Sequence, residues 1–189
     1  MGKMTMVIII PFCQQGGRVD RLPTESLYLE LMIRQCSPED FKRIYLIINQ
    51  AARAYRGAIP PDCYPQPYMP REELKAEMER MSFFGWEEEG ELVGVMGFQP
   101  IKDVTLIRHA YVLPRWQQRG IGGKLLKHLR GMVNTRHLLV GTWADASWAI
   151  DFYQKHGFKL EPNKDELLET YWDIPQRQIE TSVVLGLDI

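Results

Sequence analysis

From Ala110 to Leu126 an apolar run passes through a basic, glycine-rich turn and straight into a second run with helical spacing. These residue types suit the binding of a phosphate. Gly120, Gly122 and Gly123 carry no Cβ, so an anion can approach the main chain where the first N–H groups of a helix point outward without partners. Arg119 and Lys124 add mobile positive charge. Two common phosphate motifs fail on spacing. A P-loop requires glycine five residues before Gly123 and Ser or Thr after Lys124, where the chain has Gln118 and Leu125. A dinucleotide fingerprint requires a third glycine three places after Gly122, and Leu125 stands there.

Other chemistries find less support. Cys13, Cys36 and Cys63 lie far apart without Cys-x-x-Cys spacing, and His109, His128, His137 and His156 are scattered, so neither a disulfide framework nor a metal site is expected. A formal net charge of −1 and a pI near 6.4 argue against a nucleic-acid partner, which would draw on clustered Lys and Arg. Met6 to Phe12 is apolar but too short to cross a bilayer; no small-residue cleavage site follows, and Met6 stands where a myristoylation motif needs Ser or Thr. A reducing cytoplasm with no membrane partner is the expected setting.

The elements that must position the turn can be read on either side of it. With 189 residues, 45% of them hydrophobic, the chain can bury one core. Leu31 to Gln35 reads as a first strand. Ser37 as N-cap, Pro38 and Asp40 then open a helix whose apolar face is Phe41, Ile44, Tyr45, Ile48, Ala51, Ala52 and Tyr55, ended by Gly57. Arg56 to Met69, rich in Pro and Tyr, reads as an irregular loop, and Pro70 to about Met81 as a second helix. Ser82–Glu87 and Glu91–Gln99 read as a hairpin about Glu88-Glu-Gly90, followed by a strand over Val104–Val112. Past the turn come a helix with Ile121, Leu125, Leu126 and Leu129 on one face, a strand over Leu138–Trp143 and a helix capped by Asp145 or Ser147. A short helix near Lys164–Tyr171 and a strand over Ile179–Leu187 complete a mixed α/β order.

Two stretches carry a family resemblance. Gln117-x-x-Gly120-x-Gly122 resembles the acyl-CoA-binding signature of the GCN5-related N-acetyltransferases, and Ala149-Ile-Asp-Phe-Tyr-Gln-Lys-His-Gly-Phe158 resembles a later motif of that family. The resemblance implies the acyl-CoA N-acyltransferase fold over residues 31–189, a central, mostly antiparallel sheet with splayed strands flanked by helices. Residues 1–30 then form an N-terminal extension, and the functional chain could begin near Met32. Acetyl-CoA is the implied co-substrate, lying where the strand before the turn parts from the strand before the second motif. The main chain of Ala110, Tyr111 and Val112 would contact its pantetheine arm, with an oxyanion donor near Tyr111 or Val112. Gln117, Gln118, Arg119, Gly120, Ile121, Gly122, Gly123 and Lys124 would cradle the pyrophosphate.

By the same resemblance Tyr153 would protonate the departing thiolate. A phenol of reference pKa about 10 can serve a thiolate whose thiol lies near 8.5 only when held close to it. Cys36 and Cys63 offer no partnered nucleophile, so direct transfer in a ternary complex is expected. Two departures limit the carry-over. Ala146 stands where relatives often have Asn, with Ser147 a partial replacement, and Leu106 to Tyr111 lacks the acid that assists deprotonation. His109 is the candidate base there, and Glu87, Glu88 and Glu89 could assist through water. The implied acceptor is a small-molecule amine or amino-acid-like compound met by Tyr55, Tyr64, Tyr68 and Trp143; a homodimer is allowed. A non-catalytic acyl-CoA-binding or regulatory module is the alternative.

Overall fold

Val104 to Ile107 of one strand and His137 to Val140 of another run parallel at the centre of the molecule, because a helix crosses over between them. Every other neighbouring pair in the sheet is antiparallel. The computed structural model describes residues 32–189; the expected extension over residues 1–30, with Cys13, and the start of the first strand at Leu31 lie outside the described residues. The strands are β1 (Ile33–Gln35), β2 (Ser82–Glu88), β3 (Glu91–Ile101), β4 (Val104–Val112), β5 (His137–Trp143), β6 (Lys159–Leu160) and β7 (Ser182–Asp188). Their order across the seven-stranded sheet is β1-β2-β3-β4-β5-β7-β6.

Local chemistry explains the turns. Glu89 and Gly90 take φ of +53° and +76°, so a two-residue turn with both residues left-handed closes the β2–β3 hairpin at the paired Glu88 and Glu91. Leu92 to Phe98 of β3 are all buried, as a central strand covered on both faces must be. Helices α1 (Phe41–Ala51) and α3 (Ile121–Arg130) both pack on β3 and β4. The remaining helices are α2 (Arg71–Arg80), α4 (Ser147–Lys155), α5 (Lys164–Tyr171) and α6 (Gln176–Glu180). No helix among the described residues is long and apolar enough to cross a membrane.

Of the expected apolar faces, Ile44, Ile48, Ala51 and Ala52 are buried while Phe41, Tyr45 and Tyr55 are partly exposed, and the whole face of α3 is buried. Leu125, Leu126 and Leu129 of α3 are fully inaccessible, each contributing roughly 1.5–3 kcal/mol of transfer free energy, which anchors the helix whose start faces the glycine-rich turn. Ahead of α1 the Asp40 carboxylate accepts the Ser37 N–H at 2.7 Å, the reciprocal half of a capping box. At the end of α4, Gly157 has φ +92°, and the Phe158 N–H bonds to the Tyr153 carbonyl at 3.1 Å while its ring packs on Tyr153.

Several boundaries differ from the sequence reading. The α1 helix gives way to a 3-10 turn over Ala52–Tyr55 before Gly57 is reached. The cap of α4 is Ala146, not Asp145 or Ser147, because the Ala146 N–H closes a tight turn onto the Trp143 carbonyl at 3.0 Å. Ile179, expected in the last strand, belongs to α6: Pro175 fixes the entry to one helical turn, and Thr181 Oγ1 closes it by donating to the Arg177 carbonyl at 2.8 Å.

Candidate active site

Pairing between β4 and β5 stops at Ile107 and Val140, although β4 continues to Val112 and β5 to Trp143. A wedge opens there. Its cause lies on the other side of β4. Gly97 opposes Arg108 and Val95 opposes Tyr111, so β4 carries one extra residue across from β3, and His109 within this bulge has φ +51°. Such a conformation costs a residue with a Cβ on the order of 1–3 kcal/mol and is commonly kept at functional sites. Beyond the bulge the β5-facing edge of Ala110, Tyr111 and Val112 has no strand partner among the described residues, which leaves main-chain groups for an extended ligand.

The glycine-rich turn closes one end of the wedge. After a 3-10 turn over Pro114–Trp116, Gln117 is extended, Gln118 has φ +61° and Gly120 caps α3 with φ +77°. The first α3 bond runs from the Lys124 N–H to the Gly120 carbonyl at 3.0 Å, so the N–H groups of Ile121, Gly122 and Gly123 precede the ladder. A Cβ on Gly120 would meet nothing within 4 Å among the described residues, which leaves room for an anion. The other two glycines serve packing. A Cβ on Gly123 would lie 2.9 Å from the His156 ring and one on Gly122 3.4 Å from Phe152, so both let α4 approach α3.

The side chains around the turn are partly engaged. Gln117 Nε2 donates to the Val112 carbonyl at 2.9 Å, tying the turn to the end of β4. The Arg119 guanidinium stacks on Trp116 at 4.5 Å, and Trp116 Nε1 is buried without a hydrogen-bond partner among the described residues. Lys124 lays its ammonium over the Trp86 ring at 4.7 Å rather than extending as a free charge.

Inside the wedge is a cavity of about 140 Å³, lined by Tyr55, Tyr68, Tyr111, Trp143, Tyr153 and Trp172 together with Arg108, His109, Gln178 and Ser182. Tyr111 meets Tyr55 and Tyr68 edge-on at 6.3 and 6.4 Å, a favoured aromatic geometry. Tyr64 stands behind Tyr68 at 5.5 Å and donates to the Ala52 carbonyl. Burial pushes the Tyr55 phenol up to about 12 and Tyr153 higher still, so both remain protonated at neutral pH.

Three of the four aromatic residues expected at the acceptor end, Tyr55, Tyr68 and Trp143, thus line one cavity with Tyr153 and His109. Ala146 is fully buried against Ala58, Ile59 and Trp143, so this position packs the Pro- and Tyr-rich loop. Ser147 is exposed. Glu87 pairs with Arg34 and Glu88 accepts from Trp86 Nε1, both away from the cavity lining. The sequence reading missed Glu77. It is buried on α2, where its carboxylate meets His109 at 2.8 Å and Arg108 at 3.1 Å. A signal existed, since Glu77 shares the helical stripe of Leu74, Met78 and Met81. Trp172 and Gln178 carried none, because the tail reaches the cavity only through the pairing of β7 with β5.

Residues 79–160 match the family profile described as "Acetyltransferase (GNAT) domain". Over 75 residues, 40% of the chain, the sequence is 32% identical to peptidyl-lysine N-acetyltransferase YiaC of Escherichia coli (strain K12); the match spans 48% of that protein, about half its length. The fold is similar to the PaiA N-acetyltransferase of Thermoplasma acidophilum in complex with coenzyme A, with TM-score 0.63 and 19% identity over 83% of this chain and 98% of that one. A GNAT family acetyltransferase from Elizabethkingia anophelis with acetyl-CoA bound gives TM-score 0.53 and 22% identity over 69% and 91% of the two chains. The profile match spans both the glycine-rich turn and the second motif, and the fold is similar to that of the solved N-acetyltransferases of the GNAT family.

Proposed function

We propose that the protein transfers an acetyl group from acetyl-CoA to a small-molecule or amino-acid-like amine, by direct attack in a ternary complex. The observation that carries this reading is the meeting of an unpaired strand edge, an open helix start and an aromatic cavity at one wedge. Two of the similar structures hold coenzyme A or acetyl-CoA, which supports the choice of donor. The curated relative is named for peptidyl-lysine acetylation, whereas a cavity of about 140 Å³ walled by aromatic rings favours a smaller amine here.

Each group then has a task. The N–H groups of residues 120–123 face the pyrophosphate, with Arg119 free to leave Trp116 for it, and the edge of Ala110 to Val112 takes the pantetheine arm as a sheet takes another strand. A main-chain N–H of Tyr111 or Val112 stabilises the oxyanion. Tyr153 hands its proton to the leaving thiolate. In water that transfer is uphill; in the same cavity the thiolate is desolvated too, which raises its proton affinity alongside that of the phenol.

A screen of small amines by thiol release, run with wild type and Tyr153→Phe, tests the reading. The variant should lose about 100-fold or more in kcat with little change in KM for acetyl-CoA. Full turnover by Tyr153→Phe across pH would remove Tyr153 from the mechanism, and acetyl-CoA binding without thiol release to any amine would favour the binding-module alternative.

A further inference from the structure

Glu77, which is buried, and His109, which is half-buried, form a pair that the sequence motifs do not contain. The His109 Nε2 lies 2.8 Å from Glu77 Oε2, and the same oxygen takes Arg108 at 3.1 Å. Burial pushes the Glu77 carboxyl up, but the hydrogen bond from His109 and the Arg108 charge outweigh it and leave Glu77 below its ordinary range. An ionised carboxylate only accepts, so Nε2 carries a hydrogen, and in the neutral imidazole Nδ1 is then the nitrogen that holds the lone pair. That Nδ1 makes no hydrogen bond to any described residue and is not sealed from solvent. The ring is stacked on Phe83 at 5.7 Å and 15°, which fixes its plane, and His109 lines the cavity. The left-handed φ of +51° at a non-glycine residue is held in place by this surrounding.

We propose that Glu77 is a positioning residue that holds His109 in the Nε2-protonated form, so that Nδ1 accepts the proton of the entering ammonium. The inference rests on the acetyltransferase reading above. A primary amine arrives as R–NH3+, and His109 takes one proton to leave R–NH2 and an imidazolium. The amine's electron pair forms the C–N bond at the thioester carbonyl, and the C–S bond then breaks with its pair on sulfur. Tyr153 protonates the thiolate and recovers the surplus proton from the new amide nitrogen, while His109 returns its proton to solvent through the cavity. One ammonium and one thioester thus give one amide, one thiol and one released proton. Besides Glu77, the charged groups around the imidazole are Glu73 and Arg80 on α2 and Arg108 on β4.

The test uses the full chain with acetyl-CoA and phenethylamine as the probe amine. Three readouts are taken on wild type, Glu77→Gln and His109→Gly, the last tolerating the left-handed backbone: thermal stabilisation by acetyl-CoA, thiol release, and the 15N shifts of the His109 ring in the histidine-bearing forms. Wild type should carry its ring hydrogen on Nε2. The glycine variant should keep acetyl-CoA stabilisation, lose about 100-fold or more in kcat, lack the acid limb of the pH–rate profile, and regain activity with added imidazole. Glu77→Gln should lower kcat less, at unchanged KM for phenethylamine. A ring hydrogen on Nδ1, or turnover by His109→Gly equal to wild type, overturns the inference while acetyl-CoA stabilisation leaves the acetyltransferase reading standing. Absence of that stabilisation in wild type strikes at the acetyltransferase reading instead.

Discussion

Three glycines in one turn have different physical reasons for being there. Gly120 supplies a left-handed φ of +77° beside open space, whereas Gly123 makes room for the His156 ring, which is itself held by the Phe152 carbonyl at 2.7 Å. Gly120→Ala should cost about 1–2 kcal/mol for the forced backbone and, in addition, weaken acetyl-CoA, because its new Cβ points into space where no atom of the described residues lies within 4 Å. Gly123→Ala should cost about 1–3 kcal/mol by overpacking and reduce affinity less. Paired denaturation and acetyl-CoA titration of the two variants would expose an error if both lost affinity equally. At this scale the sequence was legible where a residue type had one common use, as with Gly157 ending α4. It was opaque where partners arrive from afar: Glu77 reads as a carboxylate on an apolar stripe, but its meeting with His109 depends on one extra residue in β4.

The elements around the site are joined at their ends by a few polar contacts, of which the entry to α1 is the clearest. Arg34 of β1 makes two bonds to Asp40, at 2.7 and 2.8 Å, and these with the Ser37 N–H lower the Asp40 pKa from 3.8 to about 2. A depressed carboxylate contributes stability at pH above its unfolded value and loses it as pH falls through the folded one. Wild type should therefore lose stability between about pH 4 and 2, and Asp40→Asn should be less stable at neutral pH but flatter in that window. Equal acid slopes for the two proteins in chemical denaturation would contradict the assignment. The long periodic elements, α1, α3 and the β2–β3 hairpin, were legible because side-chain period and turn chemistry agree. The two-residue β6 and the single turn of α6 were not, since neither is long enough to establish a period and Ile179 fits a strand as well as a helix.

Across the described residues, the central feature is the opening in the sheet where β4 leaves β5. Both motifs flank that opening: the first follows β4 into α3, and the second follows β5 into α4. Motif order allowed the fold to be anticipated, but the wedge itself, and the tail residues that wall it, follow from pairing between strands distant in sequence. On the proposed reading, the open helix start at Gly120 and the strand edge beyond the His109 bulge take the donor, and the cavity beside Tyr153 takes the acceptor. A thermal-shift titration with acetyl-CoA, coenzyme A, ATP and NAD tests that claim most directly, because a ligand that binds only the folded state stabilises it, by about 2.7 kcal/mol at one hundred times its Kd. Stabilisation by acetyl-CoA and coenzyme A but not by ATP or NAD is the expected result; no shift with either CoA species would contradict the account.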